Sequence, residues 1–139
     1  MPTPKKLDIA VPANLHCGVV PPTSMSGDPL PERGWAAIER SSEGIPEVPV
    51  AWLAENKGAV RMVDVREIDE AESDGTIEGV DVVPMGTVEE ASKAWDKEIP
   101  VITICRSGRR SGRVALELEK LGFKRIASMR GGMVAWKNR

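Results

Sequence analysis

The residues best suited to chemistry lie in one short segment, Cys105-Arg106-Ser107-Gly108-Arg109-Arg110-Ser111. It places a thiol among three arginines, together with small residues that let successive backbone amides turn toward one centre. Such a turn forms an anion cradle, and the helix expected after it adds its positive N-terminal end. Because amides, helix and arginines all favour a thiolate, the sequence predicts a lowered pKa for Cys105 and a sulfur nucleophile.

Several other kinds of site are disfavoured by what the sequence lacks. A Cys-His or Ser-His-Asp hydrolase needs an imidazole beside its nucleophile, yet the only histidine is His16, far from Cys105 in sequence. His16 and Cys17 are adjacent but have no obvious third ligand, so we expect no metal site and no cofactor. The loop also has no lysine and no Gly-x4-Gly-Lys-Ser/Thr pattern, which argues against a phosphate-binding P-loop.

Composition and charge set broader limits on the protein. With 139 residues, 41% hydrophobic and 29% charged, the chain fits one globular domain. We find no apolar run long enough to span a membrane and no secretory signal, so the default expectation is the cytoplasm. Residues 46–99 hold 5 basic and 14 acidic side chains, and residues 100–139 hold 10 basic and 2 acidic ones. No aromatic residue lies among the basic loop residues, so a small anion is a better ligand than nucleic acid.

The alternation of patterns after residue 45 predicts the elements that position the loop. We expect strands over 59–65, 80–83, 101–104 and 125–129, and helices over 49–57, 67–73, 87–95, the segment up to Gly122, and 133–137. Thr87 and Glu90 form a capping-box pattern. The apolar run 101–104 is typical of a central strand buried on both faces. These elements predict an α/β fold with a mostly parallel sheet and Cys105 at a strand's carboxyl end, where ligands bind.

Residues 1–45 differ from the rest of the chain because they hold 7 of the 11 prolines. Apart from a short helical turn expected over 35–40, they predict an extended N-terminal arm that precedes a domain over 46–139. The arm contacts either the domain or a second copy of the chain, so it is a candidate surface for homo-oligomers.

Five segments resemble, in order, motifs of the rhodanese-type sulfurtransferases. They are Met62-Val63-Asp64-Val65-Arg66-Glu67, Ile77-Glu78-Gly79-Val80-Asp81-Val82-Val83-Pro84, the Cys105 loop, Leu121-Gly122-Phe123, and Gly131-Gly132-Met133-Val134-Ala135-Trp136. The resemblance covers residues 46–139 and implies a rhodanese-like three-layer domain with helices on both faces of the sheet. Two positions differ from the family pattern, Asp74-Gly75-Thr76 in place of a His-containing turn and Glu78 in place of Pro.

The resemblance implies sulfur transfer through a persulfide on Cys105. A small anionic donor such as thiosulfate would load Cys105, and a thiol or cyanide would accept the sulfur. Arg106, Ser107, Gly108, Arg109 and Arg110 would then bind the donor, and Asp64, Arg66 and Ser111 would support the loop.

Three alternatives remain beside this interpretation. Cys105 can be a small buried residue at a strand end, and Asp64 and Arg66 can be ordinary strand-end charges. A phosphatase or arsenate reductase needs Cys-x5-Arg, but Arg110 completes only Cys-x4-Arg and the longer spacing reaches Ser111. The domain can also act as a persulfide carrier or interaction domain that serves a partner protein, and the sequence does not separate a carrier from an enzyme.

Overall fold

A six-stranded sheet forms the centre of the protein. The structure is a computed structural model that describes Trp35 and residues 38–139. The strands are β1 (Glu39–Arg40), β2 (Pro46–Val48), β3 (Arg61–Asp64), β4 (Asp81–Val82), β5 (Val101–Ile104) and β6 (Ile126–Met129). Their order is β1-β2-β6-β5-β3-β4, and all neighbours are parallel except the β1–β2 pair. The expectations for His16, Cys17 and most of the arm fall outside the described residues.

Within residues 38–139, five α-helices connect and cover the strands. They are α1 (Val50–Asn56), α2 (Ile68–Asp74), α3 (Val88–Ser92), α4 (Arg109–Lys120) and α5 (Gly132–Lys137), with short 3₁₀ turns at Lys57–Ala59 and Met85–Thr87. Each α-helix therefore lies close to its predicted place. No helix in the described part of the chain is long and apolar enough to cross a membrane.

The sheet divides the core into two layers of buried side chains. Met62 and Ile102 belong to the layer that contains Leu53 of α1 and Trp136 of α5. Val63 and Val101, one residue away on the same strands, belong to the layer with Val88, Val114 and Leu118 of α3 and α4. Because successive strand residues face opposite sides, helices pack on both faces of the sheet. The predicted three-layer α/β fold is confirmed, and so is the central position of β5.

Two local predictions are wrong. Glu39–Arg40 is not helical but forms β1, which pairs with Pro46–Val48, a strand that the sequence analysis missed. The sheet thus begins before residue 46. The Thr87 capping box is absent because Thr87 ends the 3₁₀ turn Met85–Thr87, and its hydroxyl donates to the carbonyl of Pro84 at 2.9 Å. The preceding backbone is already turned, so Thr87 is not at the extended position that an N-cap needs.

Candidate active site

Cys105 lies at the carboxyl end of β5 and directly before the loop that leads into α4. Its side chain is buried, with 1% of the residue exposed. Gly108 adopts a left-handed backbone (φ 102°) that closes the loop against the first turn of α4. In this conformation the Gly108 N–H donates to Cys105 Sγ at 3.0 Å. The strand–Cys–turn–helix geometry predicted from the sequence is therefore present.

Two opposing effects act on the pKa of Cys105. Burial raises it, because desolvation penalises the charged thiolate. Hydrogen bonds from the Ser111 hydroxyl and from the amides of Ser111, Gly108 and Ser107 lower it, and the net result is a pKa below the ordinary value of a thiol. The predicted direction is thus correct, but hydrogen bonds to the sulfur, rather than the arginines, are the main cause.

The orientation of the loop amides is held by α5. The Met133 N–H donates to the Cys105 carbonyl at 2.8 Å, and the Val134 N–H donates to the Arg106 carbonyl at 3.0 Å. Since a trans peptide points its N–H opposite to its carbonyl, these two bonds turn the amides of Arg106 and Ser107 away from α5. The distant helix α5 therefore fixes the orientation of the loop peptides that precede the Gly108 N–H, the donor to Cys105 Sγ.

Gly132 makes this contact between the loop and α5 feasible. Its backbone is left-handed (φ 61°), and a Cβ at this position would lie 2.5 Å from the Cys105 carbonyl oxygen. A side chain would push α5 away from the loop, so glycine is required both for conformation and for space. The sequence analysis used Gly131-Gly132 only as a motif of resemblance and assigned it no role in the site.

The three loop arginines occupy different environments. Arg110 forms a two-pronged ion pair with Glu70 of α2, with Nη1–Oε1 and Nη2–Oε2 distances of 2.9 and 2.8 Å. This pair raises the pKa of Arg110 and lowers that of Glu70. The charge of Cys105 is a further, smaller cause of the raised pKa of Arg110. Arg106 and Arg109 are exposed.

A groove of about 670 Å³ runs beside the loop. One wall is formed by Ser107, Gly108 and two arginines of α4, Arg109 and Arg113. The other wall comes from the segment around β2 and includes Glu43 and Glu47. The groove therefore borders the loop residues that follow Cys105, and its lining carries two arginines opposite two glutamates.

Asp64 and Arg66 form a buried pair at the end of β3. The Arg66 Nε and Nη2 atoms lie 3.0 and 2.8 Å from the two carboxylate oxygens of Asp64. The same guanidinium donates to Asp74 Oδ2 and to the Gly75 carbonyl, each at 2.8 Å. Asp74 in turn pairs with Lys137 of α5. The pair thus links β3 and α2 to the helix that holds the loop.

Three hydroxyl groups lie beneath the loop on the α4 side of the sheet. Ser111 of α4, Ser128 of β6 and Thr103 of β5 are all fully buried. Ser111 Oγ and Ser128 Oγ are 2.7 Å apart, and the Thr103 hydroxyl donates to the Ser111 carbonyl at 2.8 Å. The sequence analysis included Ser111 but missed the other two. Polar residues within otherwise apolar strands were the available signal.

Among residues 38–139 and Trp35, no three His, Cys, Asp or Glu side chains come close enough together to hold a metal ion. The described site consists of a buried thiol, inward-pointing amides, one hydroxyl and one paired guanidinium. This arrangement can stabilise a negative charge on sulfur without a proton acceptor.

The chain is similar in sequence to a known family of domains and to several of its members. Residues 49–139 match the model of the rhodanese-like domain. The chain is 34% identical over 87 residues to the thiosulfate sulfurtransferase GlpE of Coxiella burnetii, covering 63% of this chain and 80% of that protein. It is also 34% identical over 104 residues to Bacillus subtilis YrkF, whose name proposes a sulfur carrier. That match covers 70% of this chain but only 56% of YrkF.

Solved structures agree with the sequence matches. A rhodanese-related protein from Thermoplasma volcanium superimposes with a TM-score of 0.62 at 29% identity. The match covers 66% of this chain and 90% of that protein.

Proposed function

The chain belongs to the family of rhodanese-like domains, and from that premise we propose that it is a sulfurtransferase that carries sulfur as a persulfide on Cys105. The observation that carries the proposal is the bond from the Gly108 N–H to Cys105 Sγ at 3.0 Å, at the first turn of α4. This donor and its neighbours favour a thiolate, which is the form that attacks sulfur.

In the first step the Cys105 thiolate attacks the outer sulfur of a donor such as thiosulfate. A bond forms between the two sulfurs, the S–S bond of thiosulfate breaks, and sulfite leaves with the electron pair. The product is an anionic persulfide on Cys105, and the inward-pointing amides of the loop stabilise it. Arg110, whose guanidinium is held by its ion pair with Glu70, supplies positive charge from the first turn of α4 to the approaching anion.

In the second step a thiolate or cyanide attacks the outer sulfur of the persulfide. A bond forms between the acceptor and that sulfur, the persulfide bond breaks, and Cys105 leaves as a thiolate. No external oxidant or reductant is needed because the sulfur changes partners twice. Neither step requires a general base once the thiolate has formed, which accounts for the absence of histidine from residues 38–139.

The decisive experiment measures sulfur loading at Cys105. The chain carrying Cys17→Ser is incubated with thiosulfate and its intact mass is recorded. We expect a gain equal to one sulfur atom, removed again by cyanide. The matched control, Cys17→Ser with Cys105→Ser, should gain none. Loading of the control, or loading that needs Cys17, would refute the assignment.

A second candidate is a carrier that hands persulfide to a partner protein. It is supported by the groove beside the loop, which is much larger than thiosulfate needs, and by the similarity to YrkF. Single-turnover release from the loaded protein separates the two functions. An enzyme should release sulfur to cyanide or small thiols as fast as it turns over thiosulfate, whereas a carrier should release it slowly until a protein acceptor is added.

A further inference from the structure

Helix α2 carries two acidic side chains that bind the helices at either end of the Cys105 loop. Glu70 and Asp74 are four residues apart in α2, so they lie on one face of that helix. Glu70 binds Arg110, where the loop enters α4, through two bonds of 2.9 and 2.8 Å. Asp74 binds the ammonium of Lys137 near the end of α5, at 2.6 Å from Oδ1 and 2.7 Å from the Asp74 carbonyl oxygen.

These contacts form a closed ring that includes the loop. From α5, two backbone N–H groups donate to the carbonyls of Cys105 and Arg106, at 2.8 and 3.0 Å. The loop ends at Arg110, which binds α2, and Asp74 of α2 returns to α5 through Lys137. The start of the loop is therefore held by α5 and its end by α2, and the Asp74–Lys137 pair joins these two helices.

The Asp74 carboxylate belongs to a network rather than to an isolated ion pair. Its second oxygen, Oδ2, accepts a hydrogen bond from Arg66 Nη1 at 2.8 Å. Arg66 is fully buried and is itself bound to Asp64. A single exposed ion pair contributes little, but a carboxylate anchored to a buried guanidinium presents its other oxygen from a defined position. Asp74 can therefore hold Lys137, and with it the end of α5.

We propose that Asp74 and Lys137 are positioning residues, which act on Cys105 through the placement of α5. The inference rests on the proposed function, since it concerns the same nucleophile. An α5 N–H binds the carbonyl of Cys105 itself, so a shift of α5 moves the residue that carries the sulfur. That movement would lengthen the 3.0 Å bond from the Gly108 N–H to Cys105 Sγ. Because this donor stabilises the thiolate, weakening it should raise the pKa of the thiol.

The sign of the expected shift separates positioning from a direct effect of charge. Loss of the Lys137 cation would raise the pKa of Cys105 by charge alone, whereas loss of the Asp74 anion would lower it. Loss of the contact between them should raise it in both cases. The other charged side chains of the ring and its anchor remain bound to each other, Arg66 to Asp64 and Arg110 to Glu70.

The test is the pH profile of Cys105 alkylation by iodoacetamide in the full chain carrying Cys17→Ser. Lys137→Gln and Asp74→Asn should each raise the midpoint by about 0.3 unit, less than half the shift that loss of one hydrogen bond to sulfur would cause. The double variant should match Asp74→Asn, because both changes break the same contact. Lys137→Arg, which keeps the cation, should retain the parent midpoint.

Lys124 provides a matched control. It is also an exposed lysine in an ion pair, with Glu98 at 2.8 Å. It precedes β6, which is parallel to β5, so it lies at the end of the sheet opposite Cys105. Lys124→Gln removes the same charge and the same kind of contact and should leave the midpoint unchanged.

Two results would overturn the proposal. One is a midpoint that rises in Lys137→Gln but falls in Asp74→Asn, which would show a direct effect of charge. The other is a lower melting temperature for Lys137→Gln with an unmoved midpoint, which would show a purely structural pair. Since alkylation uses no sulfur donor, failure of thiosulfate to load Cys105 would refute the proposed function and leave this inference to its own result.

Discussion

Replacing Gly132 by alanine should perturb the Cys105 loop without changing any residue of the loop itself. Gly132 lies outside the cysteine loop in sequence, yet a Cβ there would lie 2.5 Å from the Cys105 carbonyl oxygen. The opposing atoms are backbone and cannot rotate away. Alanine must therefore displace α5 or the loop, and either movement stretches the bonds that Met133 and Val134 donate to it.

The size of the effect can be worked out against a matched control. Gly44 also has a left-handed backbone (φ 81°), but a Cβ there meets nothing within 4 Å. Gly44→Ala should therefore cost only the left-handed strain, about 1 kcal/mol of unfolding free energy. Gly132→Ala bears the same strain and weakens two hydrogen bonds worth about 1 kcal/mol each, giving a total of about 3 kcal/mol.

Two measurements on each variant check this reasoning. Denaturant unfolding gives the free energies, and the pH profile of alkylation in the Cys17→Ser background gives the midpoint of Cys105. Gly44→Ala should leave the midpoint unchanged, whereas Gly132→Ala should raise it toward that of a free thiol. Equal losses of stability in the two variants, together with an unmoved midpoint for Gly132→Ala, would refute the role assigned to α5.

Three further predictions concern charge. Glu70→Gln should slow loading of Cys105 by thiosulfate severalfold, because Arg110 loses its two-pronged anchor, and stopped-flow loading measures this. The same substitution should lower the free energy of unfolding by less than about 1 kcal/mol, since the pair is partly exposed, and thermal melts measure this. The pKa of Glu70 is depressed from 4.5, so the stability gap between the parent and Glu70→Gln should hold above that pH and shrink as pH falls through the lower folded pKa. The pKa of Cys105 is depressed from 9.0, so the parent should gain stability over Cys105→Ser as pH rises from the folded pKa to about 9. A difference in unfolding free energy that does not change with pH, for either substitution, would contradict the pKa shift assigned to that residue.

The regular elements were predictable where local pattern and burial agree. The strand Val101–Ile104 is apolar throughout, and a strand with neighbours on both sides needs such residues. Pro46–Val48 was missed because three residues that begin with proline carry no periodicity. Its strand character comes from pairing with β1 on one side and with β6 on the other. Because β6 lies at the far end of the chain, local sequence does not reveal this pairing.

Only the part of the candidate site that is contiguous in sequence could be predicted. The segment from Cys105 to Ser111 contains the nucleophile and most of its donors, and the spacing alone indicated an anion cradle. Glu70, Ser128 and Gly132 join it from other elements, with Glu70 separated from Arg110 by 40 positions and Ser128 from Ser111 by 17. Local patterns carry no record of such contacts, because they arise only when the strands and helices pack.

The two outermost strands of the sheet have a consequence for association between molecules. β1 and β4 are each two residues long, and they place Glu39, Arg40 and Asp81 at the opposite edges. Strands that pair between molecules need a run of unpaired backbone groups, and short charged edges offer few of them and add repulsion. At high concentration the folded domain should therefore resist aggregation through its sheet edges.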